Sequence, residues 1–145
     1  MFVLIAPQAT GQSASLRISD LGLSAAEQHQ IFAVVAPSAF DAPDSWEDEL
    51  RAVRVDLGAS PGIVVRGTKL LCGGTGNCQL FVLRKANGAW VSLFGNEQGP
   101  IAESYEFGPD IVQGIKDLTV TTNLGADAAR TVKYRFNGQI YRTVP

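Results

Sequence analysis

Thr131-Val132-Lys133-Tyr134-Arg135-Phe136-Asn137-Gly138-Gln139-Ile140-Tyr141-Arg142-Thr143-Val144 is a pair of strand-like runs about an Asn-Gly centre. Side chains of a strand alternate between two faces, and Asn-Gly tolerates the positive φ angles of a type I′ turn, so the stretch reads as a β-hairpin. With a two-residue turn, Val132, Tyr134 and Phe136 share a face with Gln139, Tyr141 and Thr143. Lys133 and Arg135 then share the other face with Ile140 and Arg142. Lys133 opposes Arg142 in this register. Like charges across a strand pair are mildly destabilising, so a carboxylate from a neighbouring strand or a bound anionic partner would offset them. The plainer alternative is two long side chains splayed into water.

The same logic extends upstream. Asn87-Gly88 supplies a second type I′ turn between residues 79 to 85 and 90 to 94. Its register sets Phe81 opposite Phe94 and Val82 opposite Leu93, which calls for a sheet covered on both faces. Val53, Val55 and Leu57 alternate with Arg54 and Asp56 in a half-buried strand that ends at Gly58. Pro61-Gly62 reads as the turn into a following strand, Ile63-Val64-Val65-Arg66. Residues 101 to 107 form a further strand carrying Ile101, Tyr105 and Phe107, broken by Gly108-Pro109-Asp110. Another strand spans about 117 to 122, before a loop at Asn123-Leu124-Gly125-Ala126-Asp127.

One helix precedes these strands. Ser24 and Glu27 have capping-box spacing, and Leu23, Ile31, Phe32, Val34 and Val35 give an apolar side over about 25 to 36, ending near Pro37. His29, the single histidine, lies off that stripe and reads as solvent-facing. The acidic run Asp41-Ala42-Pro43-Asp44-Ser45-Trp46-Glu47-Asp48-Glu49 lacks the ligand alternation and glycine of an EF-hand loop. A second cap, Ser45 with Asp48, explains its acids as the first turn of a short helix, with Trp46 as a packing anchor.

Composition bounds the function classes. The chain has 145 residues, 46% hydrophobic and 18% charged, with a formal net charge of −2. That length suits one domain with its own core, and the charge gives no global attraction to nucleic acid or anionic membrane. No apolar run approaches the ~20 residues of a membrane-spanning helix. Phe2-Val3-Leu4-Ile5-Ala6, followed by small polar residues, reads as the remnant of a signal peptide or a flexible N-terminus over 1 to 14. A single α+β domain then occupies 15 to 145.

The only two cysteines, Cys72 and Cys78, bracket Gly73-Gly74-Thr75-Gly76-Asn77. The spacing is not that of a thioredoxin-type pair, and zinc would lack ligands. Three glycines and an asparagine let the chain fold the cysteines back to disulfide distance, a bridge contributing roughly 2–2.5 kcal/mol. Two free thiols flanking a turn remain the alternative and would point to the cytoplasm. The loop has no Lys-Ser/Thr of a phosphate cradle, and no G-x-S-x-G elbow occurs anywhere. Glu103 and Glu106 fall on opposite faces of their strand, which disfavours paired acid-base work.

From about Arg51 to its end the chain resembles small exported bacterial proteins with a CG-x-TGNC loop, an aromatic strand and a terminal F-x-G-x-x-Y hairpin. The matching residues are Cys72 to Cys78, Leu80-Phe81-Val82-Leu83, and Phe136, Gly138 and Tyr141. The resemblance implies export and the disulfide, and it carries no activity.

The expected fold is α+β, an N-terminal helix packed on a mainly antiparallel meandering sheet of about six to eight strands. The expected function is a non-catalytic binding module, periplasmic or secreted, without cofactor or metal, that recognises a protein or glycan partner. The candidate contact residues are Gly73, Gly74, Thr75, Gly76 and Asn77 of the stapled loop, or Lys133, Arg135 and Arg142 of the hairpin. The alternatives are an exported hydrolase using carboxylates among Glu97, Glu103, Glu106 and Asp110, and a structural or assembly subunit pairing through an exposed patch or sheet edge.

Overall fold

The computed structural model describes residues 15–36, 44–72, 76–95 and 99–145. The expectations for the segment at 1 to 14, for Pro37, for Asp41 to Pro43 in the acidic run, for Gly73, Gly74 and Thr75, and for Glu97 lie outside them.

The α+β class holds, with a correction to its layout. Among the described residues ten strands form three antiparallel sheets instead of one meander. The first sheet is ordered β1 (Leu50–Asp56), β2 (Pro61–Gly67), β4 (Phe81–Ala86), β5 (Ala89–Ser92). The second is ordered β10 (Tyr141–Thr143), β9 (Ala128–Phe136), β8 (Ile115–Gly125), β7 (Ser104–Val112). A two-residue pair, β3 (Cys78–Gln79) with β6 (Ile101–Ala102), makes the third. The helix α1 (Ala25–Val35) follows a short 3-10 turn at Ile18–Asp20, so it is not the first element of the chain.

The first sheet is the middle layer. Ile63, Val65, Leu83 and Trp90 face Ile31 and Val35 of α1, with Ile18, Leu50 and Ala52 completing that core. Val64, Val82, Leu93 and Phe94 face Leu118, Val120, Phe136 and Tyr141 from the second sheet. Burial on both faces is why Ile63-Val64-Val65 is continuously apolar. The sheets are also joined along their margins. Lys116 N–H donates to the Leu57 carbonyl at 2.7 Å and Ala59 N–H to that of Gly114 at 2.8 Å, around a Gly58–Ile115 bridge. Elsewhere, Tyr141 N–H donates to the Leu93 carbonyl at 2.7 Å.

Local expectations fared unevenly. The Ser24–Glu27 capping box forms in full, and α1 ends at Val35. Ser45 does not cap with its side chain, and Trp46–Glu49 is a single 3-10 turn. Trp46 does pack, edge-on to Phe32 with ring centres 6.0 Å apart. Pro61 and Gly62 belong to β2, paired with Asp56 and Val55, so the turn before them spans 57 to 60. Asn87 and Gly88 both take positive φ, 52° and 79°, and the β4–β5 register follows as read from Ala86↔Ala89 to Leu83↔Ser92. The Phe81/Phe94 pair does not form: β5 stops at Ser92, and a turn carries Phe94 into the inter-sheet core while Phe81 packs on the helix side.

The Gly108-Pro109-Asp110 break is a bulge within β7, where the register shifts between Phe107 and Ile111. Because β7 is an outer strand, the missing proline N–H breaks no central ladder. The terminal hairpin pairs Phe136↔Tyr141, Arg135↔Arg142 and Tyr134↔Thr143, two residues out from the expected register. The Asn137 side-chain oxygen accepts from the amides of Gln139 and Ile140, both at 2.9 Å, which stabilises a longer loop. A shift of two keeps every side chain on its expected face, but Arg142 now opposes Arg135 instead of Lys133.

Candidate functional site

The face of the second sheet turned away from the core is polar across all four strands. Registers set Ser104, Thr121 and Thr131 in one row, and Glu106, Thr119 and Lys133 in the next. The Thr121 and Thr131 hydroxyls are 3.3 Å apart. At the end of β8, Asp117 lies beneath the hairpin cations with only 1% of its surface exposed. Arg135 forks onto it, Nη2 to Oδ2 at 2.8 Å and Nε to Oδ1 at 3.1 Å, and Lys133 Nζ approaches within 3.4 Å. Hydrogen bonding from Arg135, reinforced by both positive charges, holds the Asp117 carboxyl below the ordinary range against the opposing effect of burial. In return, Asp117 raises the Arg135 pKa, with a smaller contribution from the nearby charge of Asp110.

Asp117 is the neighbouring-strand carboxylate that the like-charged hairpin face called for, and it stands outside the sequence-derived candidates. Its one local signal is an acid within the strand-like stretch Ile115-Lys116-Asp117-Leu118-Thr119-Val120, with no turn or cap to serve. The structure gathers Lys133, Arg135 and Arg142 on one strip of sheet, as their alternation requires. That strip is not simply cationic, since Asp117, Glu106 and Asp110 lie on or beside it.

The stapled loop is elsewhere. Cys72 and Cys78 form a disulfide with Cα atoms 4.9 Å apart. Lys69–Cys72 make one helical turn, α2, that leads into the loop. Gly76 is exposed with φ 81°. Asn77 is committed to the fold: its amide nitrogen donates to the Asn123 carbonyl at 2.7 Å, and its oxygen accepts from the Asn123 N–H at 2.9 Å. This clamp holds the staple against β8 near Asn123, about 20 Å along the strand from Asp117 at ~3.3 Å per residue. Asn77 and the cationic strip therefore lie toward opposite ends of β8.

Glu103, Glu106 and Asp110, the described carboxylates of the hydrolase alternative, are all exposed, as is His29. A shallow depression of about 380 Å³ lies over the β1–β2 turn, lined by Arg54, Asp56, Ser60 and Pro61 among others. Its polar groups are partly used internally, since Arg54 Nη2 donates to the Leu21 carbonyl and Asp56 Oδ1 accepts from Gly58 N–H. No helix among the described residues is long and apolar enough to cross a membrane. No family model, curated protein sequence or solved structure matches the chain.

Proposed function

We propose that the protein is a non-catalytic binding module that acts outside the cytoplasm, with the polar outer face of β7–β10 as its contact surface for a protein or glycan partner. The observation that carries this reading is the Arg135 guanidinium, fixed by a forked pair of bonds to a buried carboxylate and flanked by Lys133 and Arg142. A cation already ordered in the free protein loses little conformational entropy when an anionic group docks against it. An anionic group of the partner, such as a uronate or sulfate of a glycan or an acidic side chain of a protein, seats between Lys133 and Arg142. The disulfide and the resemblance to exported proteins support the compartment.

Parallel arrays of neutral glycans, uronate- or sulfate-bearing glycans and acidic peptides test the reading. The native chain is expected to retain anionic members, and Lys133→Ala/Arg142→Ala to lose roughly tenfold or more in affinity for them. His29→Ala, on the distant helix, is expected to bind as the native chain does. Retention of the same members by the double variant, or by no form at all, removes the face from the account.

A further inference from the structure

Strand β7 is an outer strand of its sheet, paired to β8 on one side. Such a strand leaves a row of backbone N–H and C=O groups open along its other side. Just upstream, Ile101–Ala102 meets β3 there, but from Ser104 onward no strand among the described residues does. The side chains bordering this edge divide cleanly. Tyr105 and Phe107 turn toward the core yet stay half-buried, packed edge-on with ring centres 5.9 Å apart. Glu106 turns to the outer face, Asp110 lies at the end of the bulge, and both are exposed. The strand Ser104–Val112 has no lysine or arginine, and neither acid forms an ion pair among the described residues.

We infer that the β7 edge is a docking strand for an extended segment of a partner protein that alternates basic and apolar residues. Backbone groups of Ser104 to Phe107 hold the added strand. Its cations lie beside Glu106 and Asp110, and its apolar residues cover the open flanks of Tyr105 and Phe107. A second copy of this chain is the poorer occupant. Pairing two β7 edges sets carboxylates beside carboxylates, with no lysine or arginine in either strand between them. Pro109, which has no N–H, and the bulge around it end the pairing stretch and keep the added strand short. This inference uses the edge and its acids, and does not depend on the cations of the outer face.

The probe is a short peptide of alternating lysine and valine, followed by fluorescence anisotropy and by backbone amide shifts of the protein. Shifts are expected to centre on β7, in a protein that light scattering shows to be monomeric. A copy of the peptide N-methylated at alternate amides, and the variant Glu106→Lys with the parent peptide, are each expected to bind at least roughly tenfold more weakly. Lys133→Ala/Arg142→Ala is expected to bind the peptide as the native chain does, which separates failure here from failure of the outer-face reading. Equal binding of the N-methylated peptide would reduce the effect to plain charge attraction and overturn the proposal. Equal binding by Glu106→Lys, no binding of the parent peptide, or self-association through β7 would overturn it as well.

Discussion

The Glu27 carboxylate accepts from the Trp90 indole N–H at 2.9 Å, from Lys85 at 3.2 Å and from the Ser24 amide, so one side chain caps α1 and ties it to the β4–β5 hairpin. These bonds, the indole's foremost, lower its pKa from 4.5 to about 2. A carboxyl depressed in the folded state stabilises the fold fully above its unfolded value and loses that contribution as pH falls through the folded one. Urea titrations of the native chain and Glu27→Gln are expected to differ by a constant amount down to about pH 5, with the gap closing toward pH 2. Asp117 makes a parallel case. Asp117→Asn removes the charge beneath Arg135 and Lys133 and is expected to cost about 2 kcal/mol, less than a fully buried pair because both cations reach solvent. Equal urea midpoints for native and variant would contradict it. Glu27 was readable because Ser24 sits three residues before it, whereas Asp117 acquires its partners only through pairing of β8 with β9, which no local pattern encodes.

Turn chemistry decides how far each element could be read. Asn87-Gly88 behaved as its residue types demand, because both central positions take positive φ and nothing competes for the asparagine side chain among the described residues. At Asn137-Gly138 the asparagine oxygen instead caps two following amides, and the loop lengthens by two residues. Gln113-Gly114 and Ala126-Asp127 also adopt positive φ at both positions and close tight hairpins, although neither pair advertises it. The staple is an element-scale device as well. Cys72→Ser/Cys78→Ser is expected to lose about 2 kcal/mol in the chain-entropy picture, read from the shift of the urea midpoint. Asn77→Ala leaves the disulfide intact but removes the acceptor of the Asn123 amide. Hydrogen exchange at Asn123 should then quicken while exchange at Leu118 and Val120 stays slow.

At the scale of the molecule, the middle sheet belongs to two cores at once, so neither can melt alone. Leu118→Ala in the inter-sheet core and Ile31→Ala under the helix are each expected to cost about 3 kcal/mol. Each variant should unfold in one transition, with tryptophan fluorescence from the helix-side core coinciding with near-ultraviolet tyrosine signals from the inter-sheet core. Separate transitions would show the two cores to be independent. The strands themselves were largely legible from alternation, but their arrangement was not: β1 meeting β8, and β10 meeting the end of β5, join segments far apart in sequence and leave no mark on either. Those two seams also dictate the order of folding. Hairpins such as β7–β8 and β4–β5 can zip locally, while closing a seam requires large loops to be drawn together, which is slow. Until Tyr141 reaches the Leu93 carbonyl, the first sheet has one flank of its core uncovered. Vulnerability to aggregation or to capture by a chaperone is therefore greatest before the β9–β10 hairpin docks.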